Sequence, residues 1–110
     1  MKNGYKNNVV PVKVKILPCM DSLLRLWGWH VHVWFQDDIQ DLFKQTDLVQ
    51  EYDLYPKQAE IGYVRYDARK KNTIVRYCFD VGVGEKYARA FKKKIQSQIL
   101  TLKKNNYKTK

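Results

Sequence analysis

The chain has two histidines, His30 and His32, and one residue separates them. An extended strand carries residues i and i+2 to the same face. Two neutral imidazoles set side by side can hold one divalent cation. Val31 between them turns the other way, toward a core. The same alternation is common in ordinary sheets, so H-x-H alone is a weak signal. Two acids are placed near this strand: Asp21, nine residues before His30, and Glu60 on an expected neighbouring strand. Asp21 equally suits a cap for the short segment after Pro18. A second feature is GVGEK at 82–86, glycine-rich before an expected helix, where free N–H groups can hold a phosphate. The chain has no GxxxxGK[ST] phosphate loop and no dinucleotide fingerprint. Cys19 and Cys78 sit in apolar company without CxxC spacing, which argues against a zinc knuckle or a disulfide framework. Free buried thiols fit a reducing, cytoplasmic compartment.

The elements that must position these residues follow from hydrophobic period. Residues 9–17 alternate Val10, Val12, Val14 and Ile16 against Lys13 and Lys15, a strand that Pro18 is expected to end. Residues 19–26 are ambiguous between a short helix and the start of a strand. WHVHVWF at 29–35 is the clearest strand, with Trp29, Val31, Val33 and Phe35 on one face and His30, His32 and Trp34 on the other. Asp37 or Asp38 can cap a helix over 39–50 that buries Ile39, Leu42, Phe43 and Val49. A loop at 52–57 is marked by Pro56. Strands are expected at 60–67 and 73–81, joined by ARKKN, with Asn72 suited to a left-handed conformation. A last helix over 85–103 carries Ala88, Phe91, Ile95, Ile99 and Leu102 at helical spacing. The expected fold is α+β: an antiparallel four-stranded sheet with helices packed on one face, a ferredoxin-like variant. One domain spans 9–104, between a loose tail at 1–8 and a basic, fraying tail at 105–110.

Charge narrows the partner. The 110 residues carry 21 Lys and Arg against 11 Asp and Glu, a formal net charge of +10. From Lys86 onward the charged residues are all basic, while residues 36–60 are mostly acidic. A cationic surface attracts phosphate backbones and gains affinity by releasing counterions. No apolar run reaches the 18 or so residues that a membrane helix needs, and residues 1–8 lack the apolar region of a signal peptide. Nucleic acid is the expected partner and no membrane is, with a homodimer left open.

The string WHVHVWFQ resembles the His–hydrophobic–His strand of the HUH endonuclease superfamily, which includes rolling-circle replication initiators and small single-strand transposases of viruses and plasmids. The likeness is strong over about eight residues. It implies that His30 and His32 bind Mg²⁺ or Mn²⁺ with a third ligand such as Asp21. It also implies a tyrosine that attacks the scissile phosphate of single-stranded DNA and stays joined to it. The candidates are Tyr87, which opens the last helix ahead of Arg89 and Lys92, Lys93 and Lys94, and Tyr77 in IVRYCFD. Asp80 stands three residues after Tyr77 and Phe91 four after Tyr87, where the family carries polar or basic partners.

The second reading is a binding module without catalysis. GYVRY at 62–66 looks like the second half of the signature strand of RNA-recognition motifs, whose aromatics stack on bases. The first half is absent, since Glu60 and Ile61 stand there. The strand order is also similar to small protein subunits of ribonuclease P, by topology alone. In either reading Arg65, Lys70, Lys71, Arg76, Lys86, Arg89, Lys92, Lys93 and Lys94 are the expected contacts to nucleic acid.

Overall fold

Alternating apolar and polar residues build four antiparallel strands in a computed structural model that describes residues 9–44 and 59–108. They are β1 (Pro11–Met20), β2 (Leu26–Gln36), β3 (Glu60–Asp67) and β4 (Asn72–Asp80). One helix follows, α1 (Val81–Lys108), and a 3₁₀ segment, Gln40–Lys44, comes after β2. The sheet order is β1-β2-β4-β3, so two hairpins lie side by side with β2 and β4 at the centre. The class is α+β with the helix on one face of the sheet, as expected.

The period of two sorts the strands into two faces. One face carries Val14, Ile16, Val31, Val33, Phe35, Val75, Tyr77 and Phe79, and α1 lays Ala88, Phe91, Ile95 and Ile99 upon it. The Phe91 ring sits 4.7 Å from Tyr77 and 6.2 Å from Phe79 between centroids, as edge or tilted contacts. Two glycines let the backbones close on Phe79. A Cβ at Gly28 would meet the Phe79 carbonyl oxygen at 2.1 Å, and one at Gly84 would lie 3.1 Å from the Phe79 carbonyl carbon. Gly84 therefore lies within α1 because helix and strand need its missing side chain there.

Several boundaries differ from expectation, each for a physical reason. β1 runs through Pro18, which pairs with Trp29. An edge strand tolerates proline because half its N–H groups face no partner strand. Residues 19–26 are neither a helix nor a break: they end β1, turn, and open β2. The helix expected over 39–50 is a single 3₁₀ turn where described. Its start is capped as foreseen, with Asp38 Oδ1 accepting from the Gln40 amide at 3.3 Å. Thr73, fully buried, accepts from the Ile39 amide and donates to the Asp37 carbonyl, both at 2.8 Å, tying this segment to β4. In the β3–β4 turn it is Lys71, not Asn72, that is left-handed, with φ 55°. Asn72 is already in the ladder opposite Asp67, whose carboxylate accepts from the Arg69 and Lys70 amides. α1 starts at Val81 and runs to Lys108, longer at both ends than 85–103. Residues 1–8, 45–50 with Val49, the loop at 52–57 and residues 109–110 lie outside the described residues. Among the described residues no helix is long and apolar enough to cross a membrane.

Candidate nucleic-acid interface

The face of the sheet away from α1 is where the sequence-predicted chemistry collects. Its register sets side chains in rows across all four strands. Lys13, Trp34, Ile74 and Arg65 form one row. Lys15, His32, Arg76 and Tyr63 form the next, and Leu17, His30, Cys78 and Glu60 the third. Of the central residues of these rows Ile74 is buried and the others are half-buried, and Lys13, Lys15 and Arg65 at the sides are exposed.

Two cation–aromatic pairs hold this surface. Lys13 Nζ stands 4.8 Å above the centroid of the Trp34 ring, and Arg76 Cζ stands 4.8 Å from that of Tyr63. His32 meets Trp34 edge-on at 6.0 Å. The two imidazoles lie 6.2 Å apart between centroids, tilted by 37°. Partial burial holds both imidazoles below the ordinary histidine range. The Arg76 charge adds to this at both, and His30 and Lys15 add to it at His32. Both rings are thus kept neutral near pH 7, as donors and acceptors rather than cations. A bulge between Ile61 and Tyr63 lets Gly62 and Tyr63 oppose Arg76 together.

No family model, curated protein or solved structure matches this chain. What the surface can do therefore rests on its own geometry.

The other sequence-predicted residues fall in three places. Arg65 and Arg76 share the face with the histidines. Lys70 and Lys71 are exposed at the β3–β4 turn. Lys86, Arg89, Lys92, Lys93 and Lys94 lie on α1, behind the sheet. Arg89 is engaged there, with Nε 3.2 Å from Glu85 and its guanidinium 5.4 Å from the Trp29 ring. Gly82 to Lys86 belong to the first turns of α1 rather than to a loop ahead of it.

Neither candidate tyrosine is beside the imidazoles. Tyr77 pairs with Val31, faces α1 and is fully buried. Burial pushes its phenol far above the ordinary tyrosine range, and among the described residues its hydroxyl has no hydrogen-bond partner. Tyr87 is on α1, half-exposed, on the covered side of the sheet. The sheet itself separates both phenols from His30 and His32.

Among the described residues the candidate donors are not brought together as a divalent-metal centre. Asp21 lies four residues beyond Leu17, the partner of His30, or about 13 Å along the strand. Its carboxylate is committed to the β1–β2 turn. Oδ1 accepts from the Leu23 amide at 2.8 Å and the Arg25 amide at 2.9 Å, and Oδ2 meets Arg25 Nε at 2.7 Å. These bonds, that of the Arg25 amide foremost, hold Asp21 below the ordinary carboxylate range. Glu60 is two strands from His30, about 10 Å between Cα atoms. The charged group that acts on both imidazoles is Arg76, a cation. Among the described residues no three His, Cys, Asp or Glu side chains are grouped to hold a metal ion.

Sequence reasoning assigned no role to Lys13, Lys15 or Trp34. Their signal was present as parity. Lys13 and Lys15 alternate on one side of β1, and Trp34 continues the side of β2 that carries the histidines. What was missing was the register that brings those sides together.

Proposed function

We propose that this chain is a non-catalytic binding module for single-stranded nucleic acid, with the uncovered sheet face as its binding surface. The observation that carries this reading is the paired aromatics and cations at the centre of that face. Trp34 offers a ring to a base, and Lys13, now above that ring, swings to a phosphate when a base replaces it. Across the sheet Arg76 stands against the Tyr63 ring and adds a second cation to the path. Lys15 and Arg65 flank the path. Stacking suits unpaired bases, because a duplex hides their faces. The net charge of +10 supplies the salt-sensitive part of the affinity.

The test is fluorescence anisotropy with labelled single strands and matched duplexes over a salt series. Single strands bind more tightly than duplexes, and Trp34→Ala weakens the single-strand complex most. Equal affinity for duplex, or no effect of Trp34→Ala, overturns the reading. A parallel incubation of single-stranded DNA with Mn²⁺ or Mg²⁺ probes the nicking chemistry implied by the histidine strand. A covalent protein–DNA adduct there would replace binding with catalysis.

A further inference from the structure

Arg76 has an unusual setting. It stands on a central strand in the middle of the uncovered face, half-buried. Among the described residues no carboxylate pairs with it: the ion pairs are Arg25–Asp21, Lys44–Asp41 and Arg89–Glu85. Its Nε is buried and, among the described residues, has no hydrogen-bond partner. A buried N–H without an acceptor is costly, and such a group normally meets one.

The surroundings hold the guanidinium in place without neutralising it. The Tyr63 ring lies 4.8 Å from Cζ. The bulge at Gly62 opens the space it occupies. A Cβ at Gly62 would lie 2.9 Å from Arg76 Nε, 3.3 Å from Nη2 and 2.8 Å from Cys78 Sγ. Gly62 does not have a positive φ, so the glycine is explained by this space and not by backbone conformation. Lys15 and His32 complete the row beside it, and His30 is diagonal. Among the described residues the one carboxylate on this part of the sheet is Glu60, in the third row opposite Cys78.

We propose that Arg76 is a preorganised seat for one phosphate group, with Gly62 and Tyr63 as its positioning residues. The guanidinium offers a planar fork that matches two oxygens of a tetrahedral oxyanion. Lys15 adds charge from the side, and neutral His32 has an N–H to donate. The ligand is a phosphate mono- or diester. The seat rests on the reading of this face as a nucleic-acid surface only for the source of that phosphate.

The experiment uses the full chain and three probes: inorganic phosphate, dimethyl phosphate and a labelled single-stranded oligonucleotide. The Arg76 Nε–Hε resonance is followed by NMR, and affinities are taken from the titrations. Inorganic phosphate is expected to move that resonance more than any other arginine resonance. Arg76→Gln weakens phosphate binding about tenfold, and Arg76→Lys, which keeps charge but loses the fork, weakens it nearly as much. Gly62→Ala displaces the guanidinium and weakens binding while Arg76 is still present. A merely structural glycine would leave the Nε–Hε shift on titration unchanged. The seat is refuted if Arg76→Gln binds phosphate like wild type, or if Gly62→Ala does while remaining folded. Response to dimethyl phosphate as well as inorganic phosphate identifies a diester seat, and response to inorganic phosphate alone identifies a terminal monoester seat. Phosphate binding without oligonucleotide binding upholds the seat and removes the nucleic-acid reading. Oligonucleotide binding that ignores both variants does the reverse.

Discussion

The same four strands present two faces with opposite fates, and β2 shows the contrast residue by residue. Val31, Val33 and Phe35 are fully buried against α1, while His30, His32 and Trp34 alternate with them on the uncovered side. The two tyrosines on adjacent strands repeat the contrast. Tyr77 points into the core, and burial drives its phenol out of the titrating range. Tyr63 points out and carries a guanidinium. A sheet face that only needs to be wet is served by small polar and charged residues. This one places large rings between cations, and it leaves one buried guanidinium nitrogen without an acceptor. The covered face accounts for folding, and the uncovered face is the surface proposed for binding.

The largest test of that division is Phe91→Ala. Phe91 sits on α1 against Tyr77 and Phe79, and its loss leaves a cavity in the covered face. Unfolding in urea should show a loss of about 3–5 kcal/mol. Trp34→Ala should act in the opposite sense. It leaves a folded protein and removes about 1–3 kcal/mol of single-strand affinity, read by anisotropy. If Trp34→Ala unfolds the chain as Phe91→Ala does, the two faces are not separable and the uncovered one is a second core.

The strands and the core of this fold were legible because alternation survives in the sequence. Tyr77 could have been placed too: Val75, Tyr77 and Phe79 form an apolar alternation that assigns the phenol to the core. It was singled out in IVRYCFD and weighed by the residue three positions on, Asp80, a spacing that carries no facial information. The register was not legible. Nothing local in Lys13 or Lys15 says that they stand beside Trp34 and His32. The course of β1 through Pro18 depends on its being an edge strand, a property of the whole sheet. The charge gathered at the end of the chain was also an incomplete guide. It places Lys92, Lys93 and Lys94 on α1, across the sheet from the aromatic face.

Tyr77→Phe sharpens the contrast further. The hydroxyl is buried without a partner, so removing it relieves a desolvated polar group. Stability should rise by about 1 kcal/mol, with single-strand affinity unchanged. A drop in stability would mean that the hydroxyl has an acceptor. A loss of activity without a loss of stability would restore Tyr77 as a chemical group.

The smallest effect is a pH dependence confined to the uncovered face. Burial first, and then the Arg76 charge among the neighbouring cations, holds His30 and His32 below their ordinary value of 6.5. The folded state therefore binds fewer protons than the unfolded state as pH falls below 6.5. Stability of the free protein is fully present above that pH and declines as the pH drops through this window. Binding has the opposite sign, because a bound phosphate favours the imidazolium forms. Affinity for a single strand should rise about twofold to fivefold between neutral pH and the acid side of the window, the size expected for half-exposed ion pairs. His30→Gln with His32→Gln should flatten both curves, and denaturation and anisotropy series over the same pH steps would show it. If the variant keeps the slopes of the wild type, the imidazoles neither destabilise the free face nor meet the ligand. Trp34 and the arginines would then carry the surface alone.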